Sequence, residues 1–325
     1  MTKAAEVDLW PQGPRAASSA LWLTAALSQA WRSGLLRHMA TAPCTLTEME
    51  GLLAGHGTVS SRRVEAVIGL LEAAAIVIRT EDNRFRVAPT VPVESPALGI
   101  DRTIVNAMLD EEFFWRRSRT AGYFSELTEE QRLGFALTME DQVASASAAV
   151  VGLADEVRCE HLVDIGGGTG AIARAVVAAG LAERATCLDL DPTCLAVGRQ
   201  RAEACGLAGR VSFVRHDFHS DELPRADLYV LSRVLHDWDD ETGIRLLRGV
   251  RSGFIPPGRV LVHEEILRPG AWWAAALDFF LATMLGDGRV RTLAEFADLC
   301  RAADLRIDRL EDVDSCSSLL LCSAC

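Results

Sequence analysis

Apolar positions along this chain change their period near residue 160. Ahead of that point they recur at helical spacing. Residues 16–36 are rich in Ala, Leu and Trp, and Thr45-Leu-Thr-Glu48 has the form of a capping box opening a second, shorter helix. Ser60-Ser-Arg-Arg63 opens a third, with Val64, Val67, Ile68 and Leu71 on its apolar face. Residues 76–79 and 85–87, separated by Glu81-Asp-Asn83, form a small hairpin pattern. Helix, helix, helix, hairpin is the winged-helix order. Two or three more helices fill 100–157, including one over 135–151. The first 15 residues, with Pro11, Gly13 and Pro14, have the make-up of a loose arm.

From Leu162 onward short apolar runs alternate with helical stretches. The runs are 162–164, 185–190, 211–214, 228–231 and 260–262, and such alternation predicts a parallel, doubly wound sheet. The tail, 305–310 and 317–322, supplies two more strands as an antiparallel edge. The expected class is α/β: a Rossmann-like, mostly parallel sheet of seven strands behind an all-helical winged-helix domain. The expected boundaries are 1–100, a set of connecting helices over 101–157, and the sheet domain over 158–325.

Composition narrows the classes. Of the 325 residues 49% are apolar, and the net charge is −12, from 33 basic and 45 acidic side chains. That argues for a core-forming chain and against a nucleic-acid or anionic-membrane surface. The start, Met1-Thr-Lys-Ala-Ala-Glu-Val-Asp8, places acids where an export signal needs an apolar segment, and no apolar run reaches transmembrane length. A cytoplasmic protein is expected. Nine scattered cysteines fit buried, reduced thiols. Cys322-Ser-Ala-Cys325 has metal-ligand spacing but no partner pair, and is expected to be the frayed end of a strand.

The chemistry is concentrated at the ends of the expected strands, where ligands of such sheets bind. The first strand ends in Asp164 and runs into glycines at 166, 168 and 170 ahead of a helix. Such a loop bares its backbone, and the helix start offers unpaired N–H groups to an anion. A dinucleotide fingerprint also fits, as Gly166, Gly168 and Ala171. Asp164 tilts the choice, because a carboxylate there repels a pyrophosphate and attracts an ammonium. S-adenosylmethionine, whose product is S-adenosylhomocysteine, carries an ammonium and a carboxylate on its methionine end. The second strand ends in Asp189, at the distance where an acid grips ribose hydroxyls. The third ends in Asp217, placed to accept from an adenine amino group, with Phe218 to cover the ring.

The fourth strand leads into Leu231-Ser-Arg-Val-Leu-His-Asp-Trp-Asp-Asp-Glu241. With DIGGGTG, LDLD, VRHDF, VHEEIL and GRVRTLAEF, this string resembles the S-adenosylmethionine-dependent small-molecule O-methyltransferases. That group carries an N-terminal winged-helix dimerisation domain and serves plant phenolic and bacterial natural-product pathways. The resemblance implies methyl transfer to a hydroxyl of an aromatic or polyketide-like small molecule, in a homodimer joined through the N-terminal helices. It implies His236 as general base, with Asp237 and Glu264 as orienting neighbours. It adds Leu190, Ser232, Arg233 and Trp238 to Asp164, Gly166, Gly168, Asp189, Asp217 and Phe218 as cofactor contacts. Trp115, Phe135, Met139, Phe280, Leu281 and Met284 are the candidates to line the acceptor pocket, beneath the connecting helices. No metal is expected.

The chain departs from that pattern twice. A second orienting carboxylate belongs just before Arg291-Thr292, and this chain has Val290 there. The segment between Trp115 and Phe135 is short for the family, so acceptor size does not transfer. Three other readings stay open. One is methylation of carbon in an α-keto acid or enol, metal-assisted through His236 and Asp237, with His263 or His219 as a third ligand. Another is a relative that binds the cofactor without donating its methyl. The last is a DNA-binding regulator offering Arg62 and Arg63, which the acidic charge opposes.

Overall fold

Local chemistry places the element ends. The computed structural model describes residues 14–53, 60–91, 128–269, 271–314 and 317–325. The single helix expected over 16–36 is two, Pro14–Arg32 and Leu35–Thr41, because Gly34 takes a left-handed backbone (φ 79°) that L-residues disfavour. Thr45 and Glu48 form the expected capping box, with Thr45 N donating to Glu48 Oε2 (2.7 Å) and Glu48 N to Thr45 Oγ1 (3.2 Å). They open the helix Leu46–Leu53. The helix Ser61–Ala73 buries Val64, Val67, Ile68 and Leu71, as their spacing predicts. The strands β1 (Val77–Arg79) and β2 (Phe85–Val87) pair antiparallel as the hairpin.

Two compact units are present, Met1–Ala121 with Leu267–Val290, and Gly122–Ile266 with Arg291–Cys325. The helix Trp272–Met284 therefore groups with the N-terminal unit, although it lies within the stretch expected to form the sheet domain. Burial explains this. Ala275, Ala276, Phe279 and Ala282 share one core with Leu36, Met49 and Val67. Arg63, buried at 1% exposure, donates to the carbonyls of Ala282 and Thr283 and so caps the last turn of that helix. Arg62 pairs with Asp278 and donates to the Gly288 carbonyl. Both arginines offered as DNA readers are thus spent within this unit.

The second unit holds β3 (Cys159–Ile165), β4 (Ala182–Asp189), β5 (Val211–Arg215), β6 (Ala226–Ser232), β7 (Phe254–Glu265), β8 (Leu305–Asp312) and β9 (Ser317–Ala324). They form one sheet in the order β5-β4-β3-β6-β7-β9-β8. β5 through β7 run parallel, and β9 and β8 close the edge antiparallel. The chain winds outward on both sides of β3, which makes its carboxyl end the switch point where a ligand crevice opens. Cys322 is not at a frayed end: it is fully buried in β9 with its sulfur 3.9 Å from that of Cys300, whereas Cys325 is exposed. The eight described cysteines are free thiols. No helix among the described residues is long and apolar enough to cross a membrane.

Replacing Arg63 with Ala strips the two carbonyls of their buried donor and leaves a hole beneath it. The loss of a hydrogen-bonded buried charge costs about 3 kcal/mol. Urea unfolding should show the first transition of R63A at clearly lower denaturant. An unshifted midpoint would mean that solvent replaces the guanidinium at no cost.

Candidate active site

The carboxyl ends of β3, β4 and β6 surround a cavity of about 270 Å³. Gly166 and Gly168 carry positive φ (64° and 58°), and a Cβ on Gly166 would lie 2.8 Å from Val234 Cγ2, so the loop meets the cavity as bare backbone. Asp164 is 1% exposed, and its Oδ1 has no hydrogen-bond partner. Burial pushes its carboxyl up to about 7, against the pull of the Ala173 N–H and with the Asp189 charge adding to the rise. Asp189 accepts from Gly168 N (2.9 Å) and Asp191 N (2.8 Å), which ties the glycine loop to the second strand end. Burial raises its carboxyl as well, opposed by those same N–H groups.

Of the expected cofactor contacts, Asp164, Gly166, Gly168, Asp189, Leu190, Phe218, Ser232, Arg233 and Trp238 all line this cavity. Phe218 meets Trp238 edge to face, with centroids 5.5 Å apart. Asp217 is the exception. Its Oδ1 accepts from His219 N (2.9 Å), so it shapes the turn after β5 instead of facing the cavity. Phe135 and Met139, expected against the acceptor, also line the cavity, from the helix Glu129–Gln142. That helix brings Glu140, which pairs with Arg174, into the same wall. Nothing in the sequence signals this pair, since its members lie on separate helices. Phe280 and Leu281 belong to the other unit, where Phe280 stacks on Trp22 at 5.1 Å and Leu281 is buried. Trp115 and the Met284 side chain fall outside what the structure describes.

Beside the cavity, a 3-10 turn over Leu235–Asp237 follows β6 and carries His236. Glu264, wholly buried near the end of β7, holds that turn. Its Oε1 accepts from Leu235 N (2.9 Å) and His236 N (3.3 Å), and its Oε2 lies 2.6 Å from His236 Nδ1. Burial alone would raise the Glu264 carboxyl, but the His236 charge and hydrogen bond, aided by Arg233 and His263, bring it below the usual range. A carboxylate on Nδ1 sets the proton there and leaves the Nε2 lone pair for chemistry. Asp237, on the cavity wall, places Oδ1 3.4 Å from Nε2. Burial lifts its carboxyl to about 6, against the attraction of His236.

Two residues of this centre escaped the sequence reading. Glu265 is 2% exposed; its Oε1 pairs with Arg233, and its Oε2 lies 3.7 Å from His236 Nδ1. Arg291 is wholly buried and donates to the carbonyls of Leu235 and Trp238 (both 2.7 Å) and to Asp240 Oδ1 (2.9 Å), fastening the turn from its other side. The repeated Glu-Glu in VHEEIL and the Arg after Val290 were visible, but only packing gives them these partners. Val290 is buried and its N–H donates to Asp278 Oδ1 (2.7 Å).

The third metal ligands considered do not join His236. His263 Nδ1 lies in hydrogen-bond contact with Ser232 Oγ (2.9 Å), and burial with the Arg233 charge lowers its imidazole to about 4. His219 is exposed, its ring 4.5 Å from that of Phe218 and edge-on to that of Trp238 at 4.5 Å. The ligand-type cluster among the described residues is His236, Glu264 and Glu265. Backbone N–H groups hold Glu264 Oε1 and the Arg233 guanidinium pairs with Glu265 Oε1, while both Oε2 atoms face His236 Nδ1.

A buried acid with one oxygen unpartnered, a second acid 25 residues on in the chain, and an aromatic pair are groups that could hold the ammonium, ribose and adenine of S-adenosylmethionine. Comparisons with known proteins bear on the family. The model of the O-methyltransferase domain family matches residues 103–306. The mitomycin biosynthesis 6-O-methyltransferase of Streptomyces lavendulae is 29% identical over 313 residues, 93% of this chain and 82% of that protein. The acetylserotonin O-methyltransferase of Mus musculus molossinus is 36% identical over 190 residues, 57% of this chain and 48% of that protein, so the match spans about half of the relative's length. An O-methyltransferase family 2 protein of Planctomyces limnophilus, solved with apigenin, superposes with a TM-score of 0.74 at 20% identity, over 98% of both chains, and supports the fold. The family match covers well over half of the chain, which therefore belongs to the O-methyltransferase family and is a class I S-adenosylmethionine-dependent methyltransferase.

Proposed function

We propose that this enzyme methylates a hydroxyl of an aromatic or polyketide-like small molecule in secondary metabolism, with His236 as general base. It is proposed to work in the cytoplasm as a homodimer joined through its Ala-, Leu- and Trp-rich N-terminal helices. The observation that carries the chemistry is the 2.6 Å contact of Glu264 with His236 Nδ1, which leaves Nε2 as the proton acceptor. Relatives named for mitomycin and acetylserotonin, and a neighbour solved with apigenin, support an aromatic hydroxyl as the acceptor.

When bound, S-adenosylmethionine supplies an electrophilic methyl on a positively charged sulfur. Asp164 is placed to take the ammonium, Asp189 the ribose hydroxyls, and the Phe218–Trp238 pair the adenine face. Their shared task is to hold donor and acceptor in line, since alignment supplies most of the rate of such a displacement. His236 Nε2 takes the acceptor's hydroxyl proton. The imidazolium that results lies between Glu264 on Nδ1 and Asp237 beside Nε2, and both carboxylates favour it.

H236A should lower kcat by about two to four powers of ten while leaving cofactor affinity unchanged. The assay incubates the enzyme with apigenin, N-acetylserotonin and a hydroxynaphthoic acid, and reads the mass gained by the acceptor. A gain of one methyl supports the proposal. An acceptor that gains oxygen while the cofactor is recovered intact would move the protein to a non-methylating role, and an H236A as fast as wild type would remove the base.

The Asp164 carboxyl gives a pH signature with a definite sign. Raised to about 7, it carries a proton in the free protein below that pH. An ammonium neighbour favours the carboxylate, so binding below pH 7 must expel the proton, and affinity must weaken as the pH falls through 7. Calorimetry of S-adenosylmethionine binding at pH 6, in two buffers of different ionisation enthalpy, should show this release. D164N should abolish it. Equal heats in both buffers for the wild type would refute the assignment.

A further inference from the structure

We infer that Glu265 is the second carboxylate serving the His236 base, in place of the one absent at position 290. The inference rests on His236 being that base.

Position 290 has nothing to offer a histidine: a buried valine stands there, its N–H committed to Asp278. Glu265 directly follows Glu264 on β7. Neighbours on a regular strand point to opposite faces, yet at this strand end both carboxylates reach one ring nitrogen. Their Oε2 atoms lie 2.6 Å and 3.7 Å from His236 Nδ1. At 3.7 Å Glu265 makes no hydrogen bond to the ring, so it acts through its field. Its Oε2 is buried and has no hydrogen-bond partner, an arrangement that costs free energy unless a charge nearby uses it. A protonated His236 is the group placed to do so.

Arg233 makes the arrangement tolerable. It pairs with Glu265 Oε1 and holds a left-handed backbone (φ 58°) uncommon for a residue with a side chain, its N–H donating to the His263 carbonyl (2.9 Å). Counting the charges that face the ring shows why one guanidinium is not enough. Glu264, Glu265 and Asp237 bring three negative charges when ionised and Arg233 brings one positive, while His263, lowered to about 4, stays neutral near pH 7. Asp314 acts on His263 from farther out. The cluster therefore carries an excess of two negative charges before His236 accepts a proton, and of one after. Removing Glu265 takes away half of that initial excess. Glu265 touches neither donor nor acceptor and is a positioning residue, working through His236.

The test compares wild type with E265Q, which keeps the shape and an oxygen for Arg233 but loses the charge. The first readout needs no acceptor: NMR titration of the His236 ring, assigned by its absence from H236A. In E265Q that ring should titrate lower by about one pH unit, the usual effect of losing an opposite charge within 4–6 Å. The acidic limb of the kcat profile should move the same way, with plateau kcat down about tenfold and the KM for S-adenosylmethionine unchanged. E265D, which retains the charge, should titrate like wild type. If E265Q does not fold by circular dichroism, E265M, of similar volume, carries the same comparison. Unchanged titration and profile in the uncharged variant overturn the inference and reduce Glu265 to a partner for Arg233. H236A run in parallel separates the two failures, because an undiminished rate there sinks the base itself, whereas a slow H236A beside a normal E265Q sinks only Glu265.

Discussion

The buried carboxylate of Glu264 is the tie on which the active centre hangs. It sits at the end of one strand and takes three donors from the turn that follows the neighbouring strand: two backbone N–H groups and a ring N–H. A bare carboxylate could not remain ionised at zero exposure, so the turn must close around it. Closing the turn fixes the imidazole's tautomer and heading in the same act. It also puts Asp237 and Trp238, the next two residues, on the cavity wall. Arg291 completes the clamp by taking the carbonyls at both ends of the turn. Donors are met on one side and acceptors on the other, which leaves the His236 ring little freedom to reorient.

The cavity follows a different logic. Glu264 is fully satisfied, whereas Asp164 is left one oxygen short and held near neutrality by burial. An acid in that condition is a poor contributor to the stability of the free protein and a good receptor for a cation. Asp189 stabilises the loop that Asp164 introduces, since its bond to Gly168 N ties two strand ends together before any ligand arrives. Pre-shaped backbone costs less ordering on binding than a loop that must be gathered in.

Much of this was legible from the residues. Short apolar runs alternating with helices gave the parallel sheet, and the acids closing the first two runs, Asp164 and Asp189, marked where the cavity lies. Asp164, Asp189 and His236 lie at or just beyond such ends, and the structure finds them there. Asp217 shows that an acid after a strand also serves a turn: its Oδ1 accepts from His219 N, and it does not line the cavity. The helix Trp272–Met284 shows a limit of what was legible. Its sequence says that it is apolar nearly all round, which demands burial but does not say against what. Arg63, more than two hundred residues earlier, supplies the answer.

The sequence by itself determined the fold class, the family and the cofactor, because these are written in short-range patterns: periodicity, glycine spacing and a string of adjacent residues. The tertiary structure alone decided which groups surround His236. A pair such as Glu265 and His236 is 29 positions apart in the chain and brought within reach by two neighbouring strands, and the electrostatics of a buried centre depend on distances that no local pattern encodes.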